Sequence, residues 1–179
     1  MITLSNNSYS ADEIGLKLLP KKLFLDDRGA LLKTIETEGG QVFPSTGICD
    51  QYLSTTSEGV FRGLHYQKPP YSACKLINVI QGDVVDCGIC VDKRSDFYGV
   101  GYKVKISEST PFLLLVPHYF AHGFFTTSKR SVVLSSMNNK YSQNHEQCFR
   151  YTLVHDTLFI GDELIVSEKD SQGQVELGV

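Results

Sequence analysis

A chain of 179 residues, 41% apolar and 21% charged, can bury a substantial core without disulfides or a structural metal. Its formal charge of −3 excludes a generally basic nucleic-acid-binding face, yet a few local Arg and Lys side chains can still hold a small anionic ligand. No apolar run approaches the roughly eighteen residues that cross a bilayer, and Met1-Ile2-Thr3-Leu4-Ser5-Asn6-Asn7 lacks the basic and apolar blocks of a signal peptide, so no membrane association and a cytoplasmic location are expected.

In chain order, residues 1–12 are polar and read as loosely paired. Short apolar runs, Leu16-Lys17-Leu18-Leu19-Pro20 and Lys22-Leu23-Phe24-Leu25, lead into the turn cluster Asp26-Asp27-Arg28-Gly29. Residues 30–35 follow as a strand or short helix, residues 39–47 as loop, and Ile48 to Thr56 as an extended segment. After Lys68-Pro69-Pro70, two β-rich runs, residues 75–80 and 84–91, flank Gln81-Gly82-Asp83, which predicts a tight hairpin between them. Residues 102–106 alternate as a half-buried strand does, and Phe112-Leu113-Leu114-Leu115-Val116 reads as a central strand ended by Pro117. Residues 121–125 and 131–136 supply two more strands, and only residues 144–150 and the C-terminal tail leave room for short helices. Short strands at eight- to twelve-residue spacing predict one all-β domain over residues 1–179, a sandwich or jelly roll.

Five cysteines at irregular spacing read as reduced thiols. Cys87-Gly88-Ile89-Cys90 has the spacing of a redox or zinc pair, but it lies in a strand. Residues three apart on a strand face opposite sides, so no shared metal or disulfide is expected.

The stretch with the most chemistry is Phe61-Arg62-Gly63-Leu64-His65-Tyr66-Gln67, followed by Lys75. Imidazole can take and return a proton near neutral pH, and fixed cations beside it can hold the oxyanion left when carbon next to a carbonyl loses that proton. The plain alternative for His65 is a strand histidine satisfied by backbone.

Arg28-Gly29, then residues 59–67, Lys75-Leu76, residues 82–86, Val116-Pro117, Phe120-Ala121-His122-Gly123-Phe124 and residues 165–170 occur in an order and spacing that resemble the dTDP-4-dehydrorhamnose 3,5-epimerase family of nucleotide-sugar 4-keto-6-deoxyhexose epimerases. The likeness runs from about Leu23 to Asp170. It implies a cupin-type β-jelly roll (a double-stranded β-helix), a homodimer, no metal and no organic cofactor, and a nucleotide-diphosphate-linked keto-deoxysugar as substrate. Residue by residue, it implies His65 as the base that removes the α-proton, Asp170 as its carboxylate partner and Lys75 as a cation near the ketone. It further implies Arg62, His122 and Ser54 at the substrate, and Arg28 reaching the diphosphate, often in the neighbouring subunit's site. By itself Asp170 is only a polar residue in a tail.

The chain departs from the family pattern where the family has its acid, a tyrosine; counting back from Tyr141, that slot is Ser135, a far weaker proton donor than a phenol. Tyr141 is the retained phenol that could serve in its place, or a water could. Leu31, Asp50 and Tyr52 also stand where the family has other residues, as does Val154-His155-Asp156-Thr157. The resulting expectation is an isomerase inverting C3, C5 or only one of them, with a 3,4-ketoisomerase or a catalytically inactive sugar-nucleotide binder as alternatives.

Overall fold

The computed structural model describes residues 1–6, 8–35, 43, 47–158 and 164–177. In chain order its strands are β1 (Ile2–Leu4), β2 (Lys17–Pro20), β3 (Lys22–Asp26), β4 (Gly29–Lys33), β5 (Asp50–Ser57), β6 (Phe61–Gln67), β7 (Lys75–Gln81), β8 (Asp83–Cys90), β9 (Gly101–Ser107), β10 (Phe112–Val116), β11 (Phe120–Thr126), β12 (Arg130–Met137) and β13 (Glu146–Cys148). Two short helices follow, α1 (Thr152–Leu158) and α2 (Glu168–Ser171). One sheet has the order β1-β9-β8-β11-β6-β13, and a second has the order β2-β10-β7-β12-β5. This is an all-β jelly roll, one of the two architectures that the strand spacing predicts and the one that the family resemblance implies.

The two sheets close on one core. Val84, Tyr102, Val104, Phe120 and Phe124 from the first meet Ile77, Val79, Leu114, Val116 and Val133 from the second. The outer face of the six-stranded sheet is covered as well, where Phe61, Leu64, Val85, Cys87 and Ile89 pack with Phe149 and with Val154 of α1. Double coverage explains why residues 84–90 are buried without a break. Cys90 belongs to the inner cluster and Cys87 to the outer one, as period-two geometry requires.

Two local expectations need correction, and one left open between strand and helix is decided. Gln81-Gly82-Asp83 is not a hairpin: β7 bonds to β10 and β12, and β8 bonds to β9 and β11, so the chain arches from one sheet to the other. Gly82, at φ 78°, donates its N–H to Glu108, and the Asp83 N–H is taken by Ser128. A glycine reversal between two apolar runs looks the same in sequence whether the runs pair with each other or with distant strands. Residues 144–150 carry strand β13, which completes the sheet edge beside β6, after a single 3-10 turn at Gln143–His145. Residues 30–35 start as strand, since β4 pairs with β3 in a two-stranded ribbon. Most of the loop expected at 39–47 lies outside the described residues.

β10 is interior, between β2 and β7. Among the described residues no helix is long and apolar enough to cross a membrane.

Candidate active site

Between the sheets lies a cavity of about 570 Å³, the size of a small-molecule site. Arg62 and His65 both line it, although residues three apart on a regular strand point to opposite sides. The phase is reset at Gly63. Its φ is 136°, and the β6–β11 register shifts between His122 and Phe124. Only glycine fits there, because a Cβ would come within 2.6 Å of Gly123 Cα and 2.9 Å of the His122 carbonyl. Leu64 is thereby sent to the outer cluster while His65 turns inward.

His65 Nε2 is 2.8 Å from Asp170 Oδ1. The acid comes from α2, whose first turn is capped by Ser167: its hydroxyl accepts the Asp170 N–H at 3.1 Å. That places Asp170 only 5% exposed, with its second oxygen accepting the Gly63 N–H at 3.3 Å. Burial pushes this carboxyl up, but the His65 hydrogen bond and charge, the Gly63 N–H and the Cys148 thiol outweigh it and hold the pKa below the ordinary value. The carboxylate is therefore ionised at neutral pH and fixes the ring. Cys148 donates its S–H to Asp170 Oδ1 at 3.5 Å, and burial together with that carboxylate pushes its pKa up to about 12. His65, Cys148 and Asp170 have potential ligand atoms within 4.8 Å of one another, and Asp170 joins the other two by hydrogen bonds.

Lys75 enters from β7 in the facing sheet, and its Nζ donates to the His65 carbonyl at 3.4 Å. Enclosure in the barrel lowers its pKa to about 8, against the opposing pull of Glu146 and Asp86. His122 lies next to His65 in the register of β6 and β11. Its Nε2 is 2.7 Å from Asp86 Oδ2, and the other oxygen of Asp86 accepts the Tyr102 hydroxyl at 2.8 Å. Burial lowers the His122 pKa despite that partner, so the imidazole of this buried pair is neutral at pH 7. Arg62 is held by Thr56 Oγ1 at 2.8 Å and by the Thr55 carbonyl at 3.3 Å.

Of the residues singled out from sequence, His65, Asp170, Lys75, Arg62, His122, Ser54 and Ser135 line this one cavity. Tyr141 does not. It lines an adjoining recess, and its hydroxyl donates to Glu146 at 2.9 Å, an acid that Lys169 also binds. Arg28 stands on the exposed β3–β4 turn, paired with Asp26 and away from the cavity of its own chain. His118 is exposed and stacks edge-on against Tyr119, apart from His122. Sequence reasoning missed Asp86, whose signal is an acid in the apolar interior of a strand, three residues past the Asp83 that begins it. It also passed over Tyr52, whose ring lines both the main cavity and the recess.

Comparison with known proteins bears on the family and the fold. Residues 13–176 match the family model described as dTDP-4-dehydrorhamnose 3,5-epimerase. The enzyme of that name from Methanothermobacter thermautotrophicus is 29% identical over 168 residues, covering 87% of this chain and 86% of the relative. The crystal structure of the Sulfolobus tokodaii enzyme of the same name superposes with a TM-score of 0.79 at 31% identity, over 97% of this chain and 94% of the other. That of the Bacillus anthracis enzyme, solved with TDP and PPi bound, gives a TM-score of 0.80 at 25% identity, over 98% and 100%.

Proposed function

The chain belongs to the dTDP-4-dehydrorhamnose 3,5-epimerase family, and from that premise we propose that it epimerises a dTDP-linked 4-keto-6-deoxyhexose by proton removal and return at carbon next to the ketone. It is an isomerase of the nucleotide-sugar epimerase class; neither a ketoisomerase nor an inactive binder is favoured by its relatives. The observation that carries the reading is the 2.8 Å contact between His65 and Asp170 at the edge of a cavity whose other side presents Lys75.

The chemistry follows from the groups present. Asp170 occupies Nε2 of His65, which leaves Nδ1 to take the α-proton. As the imidazolium forms, the adjacent carboxylate stabilises it. The electron pair left on carbon spreads onto the ketone oxygen as an enolate. An α-proton is much less acidic than imidazolium, so the base alone cannot hold that species. A donor aimed at the developing oxyanion supplies about 3–4 kcal/mol, and Lys75, enclosed beside His65, is the cation that meets this need. His122 and Ser54 contact the sugar, and Arg62 at the cavity mouth meets the phosphate side.

The TDP in the Bacillus anthracis relative supports a thymidine nucleotide as the carrier. We further propose a homodimer. Leu23, Phe24, Leu25 and Leu31 of the β3–β4 ribbon are all more than half exposed, an apolar surface that suits a second subunit and would carry Arg28 towards its site. A sugar-nucleotide substrate implies the cytoplasm.

The test is incubation with dTDP-4-keto-6-deoxyglucose in heavy water, with C3 and C5 read separately by NMR. Deuterium entering at either position with inversion supports the function. No entry at either rejects it, and exchange with inversion at both rejects the single-centre form that Ser135 raised.

A further inference from the structure

Inversion requires a proton to arrive on the face opposite the one that was stripped. His65 stands on β6 of the six-stranded sheet, and strands of the five-stranded sheet line the same cavity across from it. On that side β5 and β12 are paired with Tyr52 directly opposite Ser135, which sends both side chains to the same face, and both line the cavity. The Ser135 hydroxyl is a hydrogen-bonding neighbour of the Tyr52 phenol.

The competing donors are weaker. Ser135 is 3% exposed and carries an alcohol, which releases a proton far less readily than a phenol. Tyr141 is committed to Glu146 and lies outside the main cavity's lining. Lys75 also enters from the facing sheet, but its ammonium is tethered to the His65 carbonyl and is already assigned to the developing oxyanion. Tyr52 is the one tyrosine among the described residues that line the cavity.

We propose that Tyr52 is the proton donor that completes inversion on the face opposite His65. This rests on the reading of His65 as base. In the step, the α-hydrogen passes to His65 as a proton and its electron pair becomes the enolate. The Tyr52 O–H bond then breaks, its proton forms the new C–H bond on the other face, and tyrosinate remains. The imidazolium loses its proton to water and the tyrosinate regains one, so nothing is consumed. Burial, Asp50 and Glu146 raise the phenol's pKa while Ser135 draws it back down, so it stays protonated through neutral pH and its anion has a donor waiting.

The experiment follows deuterium entry and inversion of dTDP-4-keto-6-deoxyglucose in heavy water for the unaltered enzyme, Tyr52→Phe, and Tyr52→Phe combined with Ser135→Tyr. Tyr52→Phe is expected to keep deuterium entry within about tenfold while slowing inversion about 10²–10⁴-fold. The double variant, which moves the phenol one strand across, is expected to regain at least about tenfold of that loss. Inversion by Tyr52→Phe at the unaltered rate overturns the proposal while leaving the epimerase reading intact. Absence of deuterium entry in the unaltered enzyme overturns both. Should Tyr52→Phe not fold, 3,5-difluorotyrosine at position 52 replaces it. Its more acidic phenol is expected to move the alkaline limb of inversion to lower pH, and an unmoved limb rejects Tyr52.

Discussion

His65 Nε2 and Asp170 Oδ1 lie 2.8 Å apart although 105 residues separate them along the chain. The contact depends on two unrelated local devices: a glycine that turns a strand by one residue, and a serine cap that fixes a helix of four residues. Each can be removed alone.

Asp170→Asn keeps the shape and removes the charge. The amide can still hold the ring but cannot stabilise an imidazolium, so α-proton exchange is expected to fall about 10²–10⁴-fold. Ser167→Ala should cost less, about 1 kcal/mol of stability, because it loosens the helix start and leaves the carboxylate in place. Thermal unfolding and deuterium entry measured on both variants separate the two effects. Equal loss of exchange in both would mean that position, and not charge, is what Asp170 contributes.

Lys75 has a pKa lowered from 10.5 to about 8, so its ammonium is required in a place that disfavours it. Activity carried by that charge should decline as pH rises through about 8. The stability sign runs the other way. The folded state releases this proton before the unfolded chain does, so the cost is full below pH 8 and disappears as pH rises towards 10.5. Lys75→Met is therefore expected to lose exchange yet melt higher at pH 7 by at least about 2–4 °C, the equivalent of about 1 kcal/mol at this chain length. That gain should shrink at pH 10. A variant that melts lower at pH 7 contradicts the assignment.

Gly63→Ala forces a Cβ into the backbone of β11 at a φ that side chains avoid. A loss of about 2–4 kcal/mol is expected, together with displacement of Arg62 or His65 from the cavity. Differential scanning calorimetry gives the first and loss of deuterium entry at permissive temperature gives the second. Gly29→Ala is the control: its φ is also positive, but no atom lies within 4 Å of the added Cβ, so it carries the backbone strain without the clash.

Leu25 is 74% exposed on the ribbon proposed to meet a second subunit. Leu25→Asp is expected to convert the dimer to monomer in sedimentation velocity and to weaken substrate binding through loss of Arg28 from the neighbouring site. Unchanged sedimentation of the variant as a dimer would move the interface elsewhere, and a monomeric unaltered chain would remove it.

The strand pattern was legible because short apolar runs punctuated by Gly, Pro and Asp have few other solutions in a chain this size. Which strands pair was not, as Gly82 shows: its local signal is that of a hairpin, while the partners of β7 and β8 come from residues 101–137. His65, Lys75 and His122 stand out because they interrupt apolar strands with groups that are costly to bury without a purpose. Asp170 does not stand out, since its burial is made by contacts with β6 that no local window contains. A faint signal was available in Ser167-Glu168-Lys169-Asp170, which has the spacing of a capped helix start. Tyr52 was visible only as a departure from a family pattern. Its opposition to Ser135 is a matter of register, which sequence does not display.

The most direct test of the central claim is the rate at which His65→Asn admits deuterium next to the ketone of dTDP-4-keto-6-deoxyglucose in heavy water, compared with the unaltered enzyme. Asparagine retains a polar group towards Asp170 but cannot take up the proton, and the rate is expected to fall about 10²–10⁴-fold while the melting temperature stays close to that of the unaltered chain. Deuterium entering His65→Asn as fast as the unaltered enzyme would contradict the assignment of His65 as the base.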